Sequence, residues 1–175
     1  GDNAYGLNLF SSDSNTTTLT GDISTGNVDG TTGSNAYGLW LTISSNNNTT
    51  TLTGDISTTG DAAHGLFLSL GNNNTTTLTG GITTTGDSAY GLYLTNSNNN
   101  TTTLGGISTG NVDGTTGNSA YGLYLLNSTN NTTTLTGGIS TGNVGGTTGH
   151  FAPGLKFLNS ANNTTTLTGG ISITG

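Results

Sequence analysis

The sequence predicts an all-β parallel β-helix, a β-solenoid of about six coils with one 26–32 residue repeat per coil, and three observations carry that expectation. First, a segment related to Ala-Tyr-Gly-Leu-x-Leu recurs six times. The leucine after its glycine falls at Leu7, Leu39, Leu66, Leu92, Leu123 and Leu155, in steps of 32, 27, 26, 31 and 32 residues. Second, every copy runs on through an Asn-rich stretch into Thr-Thr-Thr-Leu and then Gly-x-Ile. Periods of this size belong to architectures whose single units cannot bury an apolar face alone. Third, the abundance of Gly, Asn and Thr disfavours helix, whereas Thr, Tyr, Leu and Ile suit a pleated surface. A helical solenoid is thereby excluded. The leucine-rich signature Leu-x-x-Leu-x-Leu-x-x-Asn is missing, and four-stranded propeller blades need roughly 40 residues each.

Length differences between copies locate the corners, because a bend tolerates an insertion and a paired strand does not. From Leu9 to Leu19 is 10 residues, and one equivalent gap, around Asn46, is 11, so the Asn-rich run reads as a turn. From Leu19 to Ile23 is 4 residues, but from Leu104 to Ile107 only 3, so a second corner falls at the Thr-Gly step. From each Ile to the next Gly-Leu leucine the gap is 16, 10, 10, 16 and 16 residues. The longer gaps read as outward loops at 26 to 32, 110 to 116 and 142 to 148.

Each copy then divides into three extended segments, Ala-Tyr-Gly-Leu-x-Leu, Thr-Thr-Thr-Leu-Thr and Ile-Ser-Thr. Side chains alternate along a strand, so Leu7 and Leu9 point inward together while Asn8 points outward. The equivalent pairs are Leu39/Leu41, Leu66/Leu68, Leu92/Leu94, Leu123/Leu125 and Leu155/Phe157. A second buried column is Leu19, Leu52, Leu78, Leu104, Leu135 and Leu167; a third is Ile23, Ile56, Ile82, Ile107, Ile139 and Ile171. Six coils stacked at the usual strand spacing rise about 29 Å, with Asn46 to Asn48, Asn72 to Asn74, Asn98 to Asn100 and Asn130/Asn131 forming amide ladders at the turn.

Composition bounds the function. Of 175 residues only 29% are hydrophobic and 5% charged, and the net charge of -7 comes from eight aspartates against one basic side chain, Lys156. Nucleic-acid binding needs clustered Lys and Arg, so that partner class is set aside. No apolar run approaches the roughly 20 residues of a membrane span. The absence of cysteine excludes thiolate metal sites and a cysteine nucleophile. Residues 1–175 read as one β-solenoid domain cut from a longer array, since Gly1-Asp2-Asn3-Ala4-Tyr5 already stands inside a repeat.

Two surface patterns are candidate contact sites. The first is Thr-x-Thr-x-Thr, at Thr16/Thr18/Thr20, Thr49/Thr51/Thr53, Thr75/Thr77/Thr79, Thr132/Thr134/Thr136 and Thr164/Thr166/Thr168, a grid of about 6.6 by 4.8 Å. One coil, Thr101-Thr102-Thr103-Leu104-Gly105, lacks the third threonine. The bland reading is that threonine suits an exposed strand. The second is the outward stripe Asn8, Trp40, Phe67, Tyr93, Tyr124 and Lys156, which reads either as a glycan, lipid or protein contact or as rings stacked within the molecule.

Other motifs carry less. Asn-x-Thr sequons, such as Asn15-Thr16-Thr17 and Asn131-Thr132-Thr133, recur with the repeat and read as its by-product. Asp29, Asn27, Asp113 and Asn111 sit in Gly-rich loops and invite a calcium reading, yet Gly145 replaces the aspartate in the third loop and the Gly-Gly-x-Gly-x-Asp nonapeptide is missing. For catalysis, Asp22 and Asp55 form the one stacked carboxylate pair at a register continued by Gly81, Gly106, Gly138 and Gly170, while His64 and His150 lie nearly three coils apart. No enzyme activity, cofactor or metal is expected from these residues.

The threonine grid resembles the arrays of β-solenoid ice-binding proteins, which implies an ice-binding face. Over its whole length the chain, through Ala-Tyr-Gly-Leu-Tyr-Leu and Asn-Asn-Thr-Thr-Thr-Leu-Thr-Gly-Gly-Ile, resembles the passenger repeats of bacterial autotransporter and adhesin-like surface proteins. That resemblance implies a right-handed parallel β-helix, secretion to the cell surface, and a role as stalk, adhesin or extracellular fibre. The expected partners are further copies, stacked end to end or laterally, and surface or glycan ligands.

Overall fold

The computed structural model describes residues 3–26, 35–111, 120–143 and 152–174. Within them eighteen short strands form three parallel sheets of six strands each, and each repeat contributes one strand to every sheet. The first wall holds Leu7–Phe10, Leu39–Thr42, Leu66–Ser69, Leu92–Thr95, Leu123–Leu126 and Leu155–Leu158. The second holds Thr16–Leu19, Thr49–Leu52, Thr75–Leu78, Thr101–Leu104, Thr132–Leu135 and Thr164–Leu167. The third holds Ile23–Gly26, Ile56–Thr59, Ile82–Thr85, Ile107–Asn111, Ile139–Asn143 and Ile171–Thr174. Strand order within each wall follows coil order, so one repeat is one turn of a parallel β-helix.

Register places like over like, as in Leu39 beside Leu66, Leu52 beside Leu78 and Ile82 beside Ile107. The three apolar columns meet in one slender core, in which Leu41, Leu68, Leu94 and Leu123 have no exposed surface. Two leucines of the first wall, one of the second and the isoleucine of the third fill each of the first five coils; in the sixth, Phe157 stands over Leu125 and is exposed. In the outermost coils Leu19 and Ile171 lack a neighbour on one side and are exposed.

The first strand begins at the leucine after Gly, so it is shorter than the sequence suggests: Ala-Tyr-Gly is the approach to it. Ala36, Ala63, Ala89 and Ala120 are buried at the corner. The glycine is explained by close approach. A Cβ on Gly91 would lie 2.2 Å from Cγ2 of Ile107 and 2.8 Å from the carbonyl oxygen of Gly122, and the equivalent contact recurs at Gly38, Gly65 and Gly122.

Between the first and second walls the chain turns twice through the left-handed region. The first such residue is Leu70, Asn96, Asn127 or Asn159, and the second is Asn47, Asn73, Asn99, Asn130 or Asn162, all with φ between 48° and 57°. Asparagine tolerates this conformation better than most residues, which accounts for its abundance here. The second coil spends its extra residue on the first of these bends, where both Ile43 and Ser44 have positive φ. The insertion therefore lies ahead of the Asn run, because Ser45 and Asn46 already align with Gly71 and Asn72.

Between the third and first walls one hydrogen bond closes every corner. Thr25, Thr58, Thr84, Thr109 and Thr141 donate their hydroxyls to the carbonyls of Ala36, Ala63, Ala89, Ala120 and Ala152. The bond is the same whether five or eleven residues separate its partners.

Candidate functional surfaces

On the second wall Thr49, Thr75, Thr101, Thr132 and Thr164 are exposed in one column, and Thr51, Thr77 and Thr103 form a half-buried column beside it. Their partners Thr50, Thr76 and Thr102 face inward and are buried, as alternation requires. Thr53 and Thr79 lie one residue beyond the strands, at the corner, although their amides still donate to the carbonyls of Leu19 and Leu52. The threonine at this corner can turn back on the backbone: the Thr168 hydroxyl donates to the carbonyl of Thr136. The flat part of the grid is thus two columns wide, narrower than the three read from the sequence. At Gly105 the third column is broken, since its amide donates to Gly80 and aligns with the glycine column.

The Asn turn holds two ladders that run in opposite senses. In the inner one, the amides of Asn48, Asn74 and Asn100 donate to the Oδ1 atoms of Asn74, Asn100 and Asn131 in the next coil, at 2.8 to 2.9 Å. The Nδ2 groups of Asn74, Asn100 and Asn131 donate to the carbonyls of Ser45, Gly71 and Ser97, and all four side chains are buried. In the outer ladder the amides of Asn72, Asn98 and Thr129 donate to Oδ1 of Asn46, Asn72 and Asn98 in the preceding coil. A serine column adds a third set, with Gly71 and Ser97 amides donating to the hydroxyls of Ser97 and Ser128.

Trp40, Phe67, Tyr93 and Tyr124 do form a continuous stripe, with near-parallel rings at centroid distances of 6.2, 4.9 and 5.1 Å. A second column stands against it: Tyr5, Tyr37, His64, Tyr90 and Tyr121 stack at 4.6 to 5.6 Å. The two columns meet edge to face, as in Tyr90 against Tyr93 at 5.2 Å and 86°. Ring faces are thereby covered by other rings, an arrangement favoured by the aromatic quadrupole. Sequence reasoning saw only one of these columns, although the recurring Tyr of Ala-Tyr-Gly-Leu was the available signal. Lys156 closes the stack, its Nζ 4.5 Å from the Tyr121 ring centroid and 2.8 Å from the Tyr121 hydroxyl, which holds the lysine pKa above its ordinary value.

Burial pushes the Tyr37 and Tyr90 hydroxyls up to about 12, with neighbouring tyrosines adding to the effect. His64, 5% exposed, is lowered to about 3 by desolvation. Its Nδ1 accepts the Tyr90 amide at 3.0 Å, so the ring is neutral.

Asp22 and Asp55 stack as expected, and their role is visible: Asp22 accepts the Asp55 amide at 2.8 Å and Asp55 accepts the Gly81 amide at 2.7 Å. They lie at one end of a shallow groove of about 870 Å³ that runs along all six coils, lined by outward Ser24, Ser57, Ser108 and Ser140. The calcium candidates Asp29, Asn27 and Asp113, with Gly145 and His150, lie outside the described residues, as does the side chain of Asn111. Among the described residues no three His, Cys, Asp or Glu side chains cluster, and no helix is long and apolar enough to cross a membrane. No protein-family model matches the chain, and neither a curated protein nor a solved structure is significantly similar to it.

Proposed function

We propose that the chain is a structural and adhesive segment of an extracellular, cell-surface filament, of the kind its resemblance to autotransporter passenger repeats implies. The observation that carries this reading is the unbroken register of three walls over six coils. Each outward column presents one chemistry along the rod, hydroxyl on the second wall, amide at the turn and aromatic on the first. Such a surface offers repeated weak contacts to a neighbouring copy or a flat substrate, whose sum is a useful affinity. Antibody labelling of intact producing cells tests it: label without permeabilisation is expected, and label that appears only after permeabilisation overturns it.

The threonine columns favour ice binding as a second reading, because Thr75, Thr101 and Thr132 stand exposed in direct register on a flat wall. Thermal hysteresis decides it. Ice shaping that disappears when Thr75 and Thr101 become lysine supports this reading, and no ice shaping at high concentration removes it.

A further inference from the structure

We infer that the middle asparagines of the turn, Asn47, Asn73, Asn99, Asn130 and Asn162, form a column of acceptors for N-linked sugar, and that the inner-ladder asparagines beside them do not. The first coil has Ser14 at the middle position and only Asn15-Thr16-Thr17; the other five of the six turns contain two overlapping sequons. In the second coil these are Asn47-Asn48-Thr49 and Asn48-Thr49-Thr50, and the same overlap recurs at Asn73, Asn99, Asn130 and Asn162. Sequence alone cannot separate them.

The fold separates them completely. Asn48, Asn74, Asn100 and Asn131 are 1% exposed, and Asn48, Asn100 and Asn131 donate both Nδ2 hydrogens, one to a carbonyl of the preceding coil and one to Oδ1 of the next. The hydroxyl two residues on, in Thr50, Thr76, Thr102 or Thr133, is buried as well. In the overlapping sequon both groups face water. Asn47, Asn73, Asn99, Asn130 and Asn162 are exposed with positive φ, their side chains have no hydrogen-bond partner among the described residues, and Thr49, Thr75, Thr101, Thr132 and Thr164 are exposed too.

A sequon is recognised through its amide and the hydroxyl two residues on, in a turn. The middle set meets these requirements without any unfolding. In the reaction the Nδ2 nitrogen bonds to the anomeric carbon of a nucleoside-diphosphate sugar, the bond from that carbon to the phosphate oxygen breaks, the diphosphate leaves with the electron pair, and one amide proton passes to solvent. Neighbouring acceptors are one coil apart, about 4.8 Å, closer than two sugars can sit side by side, so occupancy at alternate coils gives at most about three sugars per chain. The inference concerns the folded chain itself and stands whether or not the filament reading does.

The test is incubation of purified, folded chain with a soluble N-glycosyltransferase and UDP-glucose, followed by peptide mass spectrometry. Hexose is expected on the middle set, with less than one tenth as much on Asn48, Asn74, Asn100 and Asn131. The variant Thr49→Val, Thr75→Val, Thr101→Val, Thr132→Val, Thr164→Val removes the five middle-set sequons and retains those of the inner ladder, Asn15-Thr16-Thr17 and Asn127-Ser128-Thr129, so incorporation is counted per site. Incorporation at the five middle asparagines is expected to fall at least tenfold while circular dichroism still reports the β-helix. Should that variant fold poorly, glycine at the five middle asparagines preserves the left-handed turn and gives the same readout. Hexose on the inner ladder of the folded chain, undiminished incorporation in a folded variant, or none in the wild type overturns the inference.

Discussion

Thr109 donates its hydroxyl to the carbonyl of Ala120 at 3.2 Å, eleven residues further along, while Thr84 makes the same bond to Ala89 at 3.0 Å across only five. The coil is thus closed by one contact whether five or eleven residues separate the partners. Excising six residues between Gly110 and Gly117 shortens the gap from Ile107 to Leu123 from 16 residues to the 10 found between Ile82 and Leu92. Because closure entropy depends only logarithmically on loop length, we expect a stability change within about 1 kcal/mol. By contrast, Thr84→Val removes the hydroxyl partner of a buried carbonyl and should cost ~1 kcal/mol. Denaturant unfolding of both variants checks this, and a larger loss from the excision than from Thr84→Val would refute the closure argument.

Adjacent asparagines should behave in opposite ways. Asn100 takes the Asn74 amide on Oδ1 and spends both Nδ2 hydrogens, whereas Asn99 is exposed and supplies only a left-handed turn. Asn100→Ala leaves a buried amide and a buried carbonyl without partners, which costs about 2 to 4 kcal/mol. Asn99→Gly keeps the backbone conformation and should change stability by less than about 0.5 kcal/mol. Thermal unfolding of the pair decides the point, and equal shifts would mean that the ladder contributes nothing.

The three walls were legible because length variation betrays corners and because a period of two leaves Leu and Ile no other face. The columns through Leu52, Leu78 and Ile82 followed directly. Side-chain geometry at the bends was not legible. Nothing in the string Asn72-Asn73-Asn74 says that the first accepts from Asn98 in the next coil and the third from Asn48 in the preceding one, while the second takes a φ of 57°. Likewise Leu70 and Ile43 carry positive φ that their residue types disfavour, with their side chains exposed. They are held there by coil stacking, in which the Leu70 amide donates to Thr95 and the Ile43 amide to Ser69. The Tyr37 and Tyr90 column was missed because Ala-Tyr-Gly was read as strand, and at a corner the alternation of side chains no longer applies.

Gly91 sets how closely the first and third walls can meet. An added methyl would press on Cγ2 of Ile107 and on the Gly122 carbonyl, neither of which is the free end of a flexible chain. Gly91→Ala should therefore destabilise by roughly 1 to 3 kcal/mol, as overpacking does. The double variant Gly91→Ala with Ile107→Val, which keeps Cγ2, should not recover the loss. If Gly91→Ala unfolds at the wild-type temperature, the close approach is not a constraint.

His64 makes stability depend on pH in a direction that can be worked out. Its folded pKa of about 3 lies below the ordinary 6.5, so at intermediate pH the unfolded chain binds a proton that the folded chain refuses. The stabilisation is complete above pH 6.5 and is lost as pH falls toward 3, at up to about 1.4 kcal/mol per pH unit. The groups facing the ring are Tyr37, Tyr90, Phe67 and Tyr93, none of which supplies a negative charge in this range to relieve the cost. Replacing His64 by the tyrosine that other coils carry removes the titration and sacrifices the bond from the Tyr90 amide. His64→Tyr should therefore be equal to or below wild type at pH 7.5 and gain on it steadily down to pH 4. The two proteins differ at this position alone, so the difference in unfolding temperature isolates the imidazole. A difference that stays constant from pH 7.5 to pH 4 would mean that His64 takes up its proton within the folded stack.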